Sequence, residues 1–275
     1  VTHWFDVDPL LGVGLSIAFA VAAGHRGSLS PSGVVAAAIV GSSTWLGLGH
    51  GTFVVLCVFF GSSSLLGRVR KRDKQIIALD YAKGDRRDAW QVLANGGPAC
   101  LAGLLAQLDA LPMLNHAGSP TALRAIACAS IASANADTWA TELGVLARSE
   151  PWHLRSLKRV PRGTSGAVSG LGTAVALSGA ATIATSAWAT GVISGSKEWL
   201  GICLLGLMGA ILDSLLGATL QRQYRCAVCG KRIEAKMHCA VPSQTAQPRW
   251  AILDNDQVNF LANLAAALAM ALVVS

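Results

Sequence analysis

Basic charge in this chain is confined to alternate gaps between apolar stretches. Of 22 Lys and Arg residues, one, eight, five and six fall in the first, third, fifth and seventh gaps. The even gaps hold Lys197 alone, and Arg124 opens the fifth stretch. Short loops rich in Lys and Arg stay in the cytosol, so the alternation indicates a polytopic membrane protein and orients it.

A spanning helix needs about 20 mainly apolar residues to cross ~30 Å of hydrocarbon. Eight segments approach that length: 9–24, 31–47, 51–67, 89–108, 122–147, 165–193, 199–221 and 257–274. The second and third nearly touch, which predicts a tight hairpin. The fifth and sixth are long enough to tilt or break. The expected fold is all-α, a polytopic helical bundle of about eight spans forming one domain over 1–275. Residues 222–256 form a cytosolic loop within it, containing Cys and His. Only 13% of residues are charged, against about 25% in soluble domains. The net charge of +7 is confined to loops and reads as topology, which argues against a nucleic-acid partner. The expected location is a bacterial inner membrane, or an organelle membrane if a transit peptide preceded Val1.

Ionisable groups inside apolar spans are costly, and each is a functional candidate. Asp137, Glu142 and Asp213 lie in such spans, all towards the cytosolic side under this topology. Gln91 and Asn95, Thr164, Ser165 and Ser169, and Asp256, Asn259 and Asn263 fall in the same layer. The hydroxyls and Asn263 suit helix association equally well. The three carboxylates need cations that no deep Lys or Arg supplies, and a divalent metal such as Mg²⁺ would supply the charge. Lys83, Arg86, Arg87, Lys158, Arg159 and Arg162 face this layer from the loops, whereas 68–74 reads as a headgroup anchor. Segment 158–166 leads basic residues through Gly163 into Thr164 and Ser165, which are expected to cap the sixth span and offer an anion site with Gly166. Acids opposite such a segment suit a metal–nucleotide complex. Asp137 and Glu142 are about 140° apart on an ideal helix. Either 135–138 unwinds locally, or Glu142 serves a basic residue such as Arg148 or Lys158.

Three cysteines cluster as Cys226-x-x-Cys229 and His238-Cys239 in the seventh loop. A reducing compartment disfavours a disulfide, and the spacing suggests tetrahedral Zn²⁺. Neighbouring side chains seldom bind one ion, so the fourth ligand is open between an incomplete site and an unmetallated loop. Cys57, Cys100, Cys128 and Cys203 read as small core residues.

Five ordered motifs carry a family resemblance. Residues 84–97 (GDRRDAWQVLANGG) resemble the RDxxQVLANGG signature of the membrane family called domain of unknown function 92. Residues 134–144 (ANADTWATELG) resemble its ADTxASELG segment, 163–169 and 213–219 match two further blocks, and 254–259 (DNDQVN) resembles its closing NDxVN motif. The family includes plant phytyl-phosphate kinase, and is distantly similar to dolichol and phytol kinases and to phosphatidate cytidylyltransferase. The resemblance implies a CTP-dependent kinase of an isoprenoid (phytyl or prenyl) monophosphate, as in tocopherol synthesis. The residues alone indicate only a phosphorylated ligand. On this reading Asp137 and Asp213 hold Mg²⁺, while Lys158, Arg159, Arg162 and 163–166 bind the transferring phosphates. Arg86, Arg87, Asp88, Gln91, Asn95, Glu142, Asn255, Asp256 and Asn259 serve the acceptor. A membrane CTP:lipid-phosphate cytidylyltransferase is the nearer alternative, and a transporter of anionic metabolites the more distant one.

Overall fold

The computed structural model describes residues 8–69, 86–109, 119–230, 232–234, 236–246 and 250–275. Lys83, Gly84, Asp85 and most of the third basic loop lie outside the described residues. Eight helices are described: α1 (Pro9–His25), α2 (Pro31–Leu48), α3 (His50–Leu66), α4 (Ala89–Asp109), α5 (Pro120–Gly144), α6 (Gly170–Ala189), α7 (Ser196–Thr219) and α8 (Asn255–Val274). Their starts follow local chemistry. Asp8, Ser30 and Ser119 cap α1, α2 and α5, each followed by proline in the first turn, where a missing N–H costs nothing. α2 and α3 form the expected hairpin through Gly49 alone, whose φ of 85° requires glycine.

On length and composition, α2, α6, α7 and α8 are able to cross a membrane, and α1 and α3 are shorter apolar helices. α4 and α5 are more polar. For α5 the reason is its position at the centre, against α3, α4, α6, α7 and α8. From Ala125 to Ala136 its Ala, Ser and Cys side chains are almost all buried. A helix wrapped by protein needs close packing rather than lipid solubility, and small residues allow it. A Cβ on Gly206 of α7 would stand 2.9 Å from the Cβ of Ala132, and one on Gly209 2.1 Å from the Ser133 hydroxyl. Asn135 closes this core: its amide donates to the Gly179 carbonyl of α6 at 2.8 Å, and its oxygen accepts from Ser62 and Ser63 of α3. Cys100, Cys128 and Cys203 are buried between helices, as expected of core cysteines. Large apolar side chains such as Leu10, Val35, Ile39, Leu200 and Leu272 cover the outside.

Among the described residues, the helix ends and loops sort by parity. The first and third are stitched together at one end, where Arg87 N–H donates to Ser28 and Ser30 N–H to Arg87. The fifth and seventh meet at the same end through Ser165 and Gln221. At the other end Arg124 donates to the Leu48 carbonyl, and Gly51 abuts Thr190 and Val192. The parity expected from basic charge is therefore present in the fold.

The all-α expectation holds for the bundle but misses the long loops. The fifth carries β1 (Trp152–His153), β2 (Lys158–Arg159) and β3 (Ala167–Val168) in the order β2-β1-β3. The seventh carries β4 (Tyr224–Arg225), β5 (Arg232–Ile233), β6 (Met237–His238), β7 (Val241–Pro242) and β8 (Gln244–Thr245) as a β5-β4-β8 sheet and a β6-β7 hairpin. Two-residue strands are too short for alternating hydrophobicity to reveal them.

Candidate active site at the basic end

A cavity of about 2200 Å³ opens among the four odd loops and the helix ends they join. α5 brings Asp137 and Glu142 to it, α7 brings Asp213, the seventh loop brings Glu234, and the first turn of α8 brings Asn255 and Asp256. Asn259 of α8 and Gln91 and Asn95 of α4 line it as well. Arg26, Arg68, Arg86, Arg87 and Arg162 supply the cations, so Arg68, expected as part of a headgroup anchor, lines the cavity instead. Gly163, Thr164, Ser165 and Gly166 form a strap over one wall.

Three carboxylates define the acidic wall. Asp137 and Asp213 face one another closely enough for their charges to interact, and Glu234 is within electrostatic reach of both. Glu234 was not among the sequence candidates. Burial pushes its pKa up to about 7, against a hydrogen bond from the Gln221 amide that favours the charged form. The Asp213 Oδ2 is buried with no hydrogen-bond partner among the described residues. An orphaned carboxylate oxygen beside further oxygen donors fits Mg²⁺, which binds through one or two carboxylates and keeps waters for a phosphate to replace. These acids do not form a closed cluster of the kind seen in the cysteine loop.

α5 is helical throughout Pro120–Gly144, so no unwinding occurs at 135–138. On that regular helix Glu142 is about 140° round from Asp137, and Arg87 lies within its electrostatic reach. Burial lowers the Arg87 pKa and Glu142 opposes that fall. The guanidinium also lies over Phe60 and Phe59, with centroids at 5.3 and 5.9 Å. Arg87 stands where the cavity adjoins a narrow apolar slot of about 50 Å³, lined in part by Phe19, Phe53, Phe59 and Phe60.

The sixth span begins later than expected. Thr164 and Ser165 do not cap it; Ser169 does, accepting from Gly172 N–H at 3.0 Å. Thr164 donates to the Pro161 carbonyl, and Ser165 donates to the Gln221 side chain at 2.7 Å. Gly163 and Gly166 adopt φ of 83° and 75°, which turn the chain across the cavity before α6 starts. Gly166 also lies against α7, where a Cβ would meet the Ala218 backbone at 2.4 Å. Arg162 reaches the cavity while donating to the Ala147 carbonyl at 2.9 Å. Lys158 and Arg159 are not brought to the cavity. They form β2, paired to β1, and Arg159 stacks on Trp152 at 4.9 Å.

Asp88 and Gln91 also have a structural task. Each side chain accepts the other's backbone N–H, a reciprocal cap at the start of α4. Asp254 and Gln257 repeat that arrangement at α8. Asn263 donates to the Ala94 carbonyl, joining α8 to α4 beneath the cavity, while Asn95 donates to the Gln91 carbonyl within α4. Two of the motif segments, 84–97 and 254–259, thus contain helix starts, and α2, α4, α6 and α8 all begin at this end.

In the loop that carries Glu234, Cys226, Cys229, His238 and Cys239 converge so that one ligand atom from each lies within 4.8 Å of the others. His238 and Cys239 are both admitted because the chain reverses there, with Cys239 and Ala240 at φ of 51° and 61°.

A sequence profile of the family described as "Integral membrane protein DUF92" matches residues 14–267. Protein PGR of Arabidopsis thaliana is 32% identical over 227 residues, covering 76% of this chain and 77% of that protein. A Synechocystis membrane protein is 28% identical over 199 residues, 71% of this chain and 73% of its own length. Protein VTE6, chloroplastic, also of Arabidopsis thaliana, is 25% identical over 194 residues, 70% of this chain and 56% of its own length. No solved structure matches the chain. With its profile match across nearly the whole length and a relative above 30% identity, the chain belongs to the integral membrane protein family DUF92.

Proposed function

We propose that this protein is a kinase of an isoprenoid monophosphate, working at the cytosolic face of a membrane crossed by all eight helices. One observation carries the reading: a single cavity sets Asp137, Asp213 and Glu234 against Arg26, Arg86, Arg87 and Arg162. Acids alone would suit a cation and arginines alone an anion. The two together suit a phosphate group that arrives with its metal.

The donor is a nucleoside triphosphate, CTP by family resemblance. Mg²⁺ held by Asp137 and Asp213 would neutralise the donor's phosphates. The strap 163–166 and Arg162 lie opposite, where glycine backbone and a guanidinium can approach phosphate oxygens. The start of α6 adds unpaired N–H groups and the positive end of its dipole. Arg86 and Arg87 would hold the acceptor phosphate, with Gln91 and Asn95 bordering it. The apolar slot at Arg87 has room for only the first carbons of an isoprenoid tail, and the remainder would lie along the helices in lipid. Transfer then forms a bond from an acceptor phosphate oxygen to the terminal phosphorus of the donor and breaks the bond to the leaving diphosphate. The products are the lipid diphosphate and a nucleoside diphosphate. A phosphate acceptor is already anionic, so no general base is needed, and positioning with charge neutralisation supplies the catalysis.

The experiment is an assay of the purified chain with phytyl and geranylgeranyl phosphates, CTP, ATP or GTP, and Mg²⁺. Formation of lipid diphosphate supports the kinase. Release of pyrophosphate with a CDP-lipid replaces it with a cytidylyltransferase.

A further inference from the structure

We propose that Cys226, Cys229, His238 and Cys239 bind one Zn²⁺, and that this centre sets the strand register that delivers Glu234 to the cavity. The donors have the right chemistry: three thiols and an imidazole favour zinc in tetrahedral coordination. They also have the right spacing. Zn–S bonds of about 2.3 Å and Zn–N bonds of about 2.0 Å place tetrahedral donors roughly 3.5 Å apart. The His238 Nδ1 lies 3.5 Å from the Cys229 sulfur and 3.2 Å from that of Cys239.

A second feature fits a bound metal. β6 and β7 are joined by Cys239 and Ala240 alone, both with positive φ. Such two-residue turns normally use Asn or Gly, because a Cβ is strained there. Bonds from His238 and Cys239 to one ion would hold that turn closed.

The link to Glu234 follows from the chain path. Cys226 directly follows β4, Cys229 stands shortly before β5, and Glu234 directly follows β5. The Cys-x-x-Cys turn is closed by Gly230 N–H donating to the Cys226 carbonyl at 2.9 Å, with Gly230 at φ 72°. It is the hairpin connection that pairs Tyr224 with Ile233. A slip of one residue in such a pair turns every side chain to the opposite face. A metal fixing the turn therefore fixes which way the chain leaves β5, and Glu234 reaches Gln221, whose amide donates to it at 3.0 Å. The zinc assignment stands by itself; its consequence for Glu234 as a site residue rests on the kinase reading.

The test uses the full chain in detergent. Elemental analysis should find stoichiometric zinc, lost in Cys226→Ser and in Cys239→Ser. Cobalt in its place should give thiolate charge-transfer and tetrahedral d–d bands. Chelation should speed amide exchange through 222–246 and leave that of the helices unchanged. Metal no higher than in the serine variants, or iron in place of zinc, overturns the site. Unchanged exchange at 232–234 after chelation overturns the positioning role. The chelation arm uses the unmodified chain, so a serine variant that fails to fold does not decide the matter. Stoichiometric zinc in a protein inert towards every lipid phosphate would count against the kinase alone, and an active kinase without zinc against the metal site alone.

Discussion

The Ser165 hydroxyl donates to the side-chain oxygen of Gln221 at 2.7 Å, tying the glycine strap to the end of α7. Gln221 is almost wholly buried, and its amide donates onward to Glu234 and Asn255. One side chain thus sets three walls of the cavity relative to one another. Ser165→Ala removes one such bond, a stability change of about 1 kcal/mol. Its effect on turnover should be larger, a loss of roughly tenfold or more in kcat, because small misplacements of reacting groups are costly. Thermal melting and steady-state kinetics on the same preparation separate the two.

Arg87 joins the polar cavity to the apolar slot, with Glu142 on one side and Phe59 and Phe60 on the other. A lysine keeps the charge but loses the planar fork and its stacking. Arg87→Lys is expected to raise KM for the lipid phosphate by about tenfold with less effect on KM for the nucleotide. Equal changes in both constants would remove Arg87 from the acceptor site.

Asn135 lies beneath the site and joins α5 to α3 and α6. Side-chain hydrogen bonds between membrane helices average about 0.6 kcal/mol and reach about 1.7. Asn135→Ala breaks several at once and leaves the Gly179 carbonyl without that donor. A loss of about 1–2 kcal/mol is expected, read as a lower melting midpoint in detergent.

Cysteine labelling tests the eight crossings. Exposed Ser156 and Ser194 sit on loops of opposite parity. In oriented vesicles of a chain lacking its other accessible thiols, Ser156→Cys should react with an impermeant maleimide only from the cytosolic side. Ser194→Cys should react only from the other. Labelling of both from one side would remove the topology.

The polar layer was legible in the sequence because ionisable groups are rare in apolar spans, and Asp137, Glu142 and Asp213 stand out against that background. Which way they point was not. Glu142 required knowing that α5 stays helical and that the third loop places Arg87 beside it. Lys158 and Arg159 read as site residues from their nearness to Gly163 along the chain. The β1–β2 pairing, too short to leave a pattern, turns them away. Ser169 was visible as a polar residue of span six, but Thr164 and Ser165 are equally good caps in isolation, and only the two left-handed glycines decide between them. Glu234 had one signal: it is the lone acid between Arg222 and Arg249, the stretch that holds the six basic residues of the seventh loop. Its neighbour in space, Gln221, had none.

The central claim is that Asp137 and Asp213 face a metal-bound phosphate donor across from an acceptor held by arginine. The most direct measurement is product analysis with Mg²⁺, CTP and a prenyl monophosphate, for the unmodified chain and for Asp137→Asn and Asp213→Asn. The account predicts lipid diphosphate and CDP from the unmodified chain, with turnover at least about 100-fold lower in each folded variant. Full turnover in both variants would contradict it.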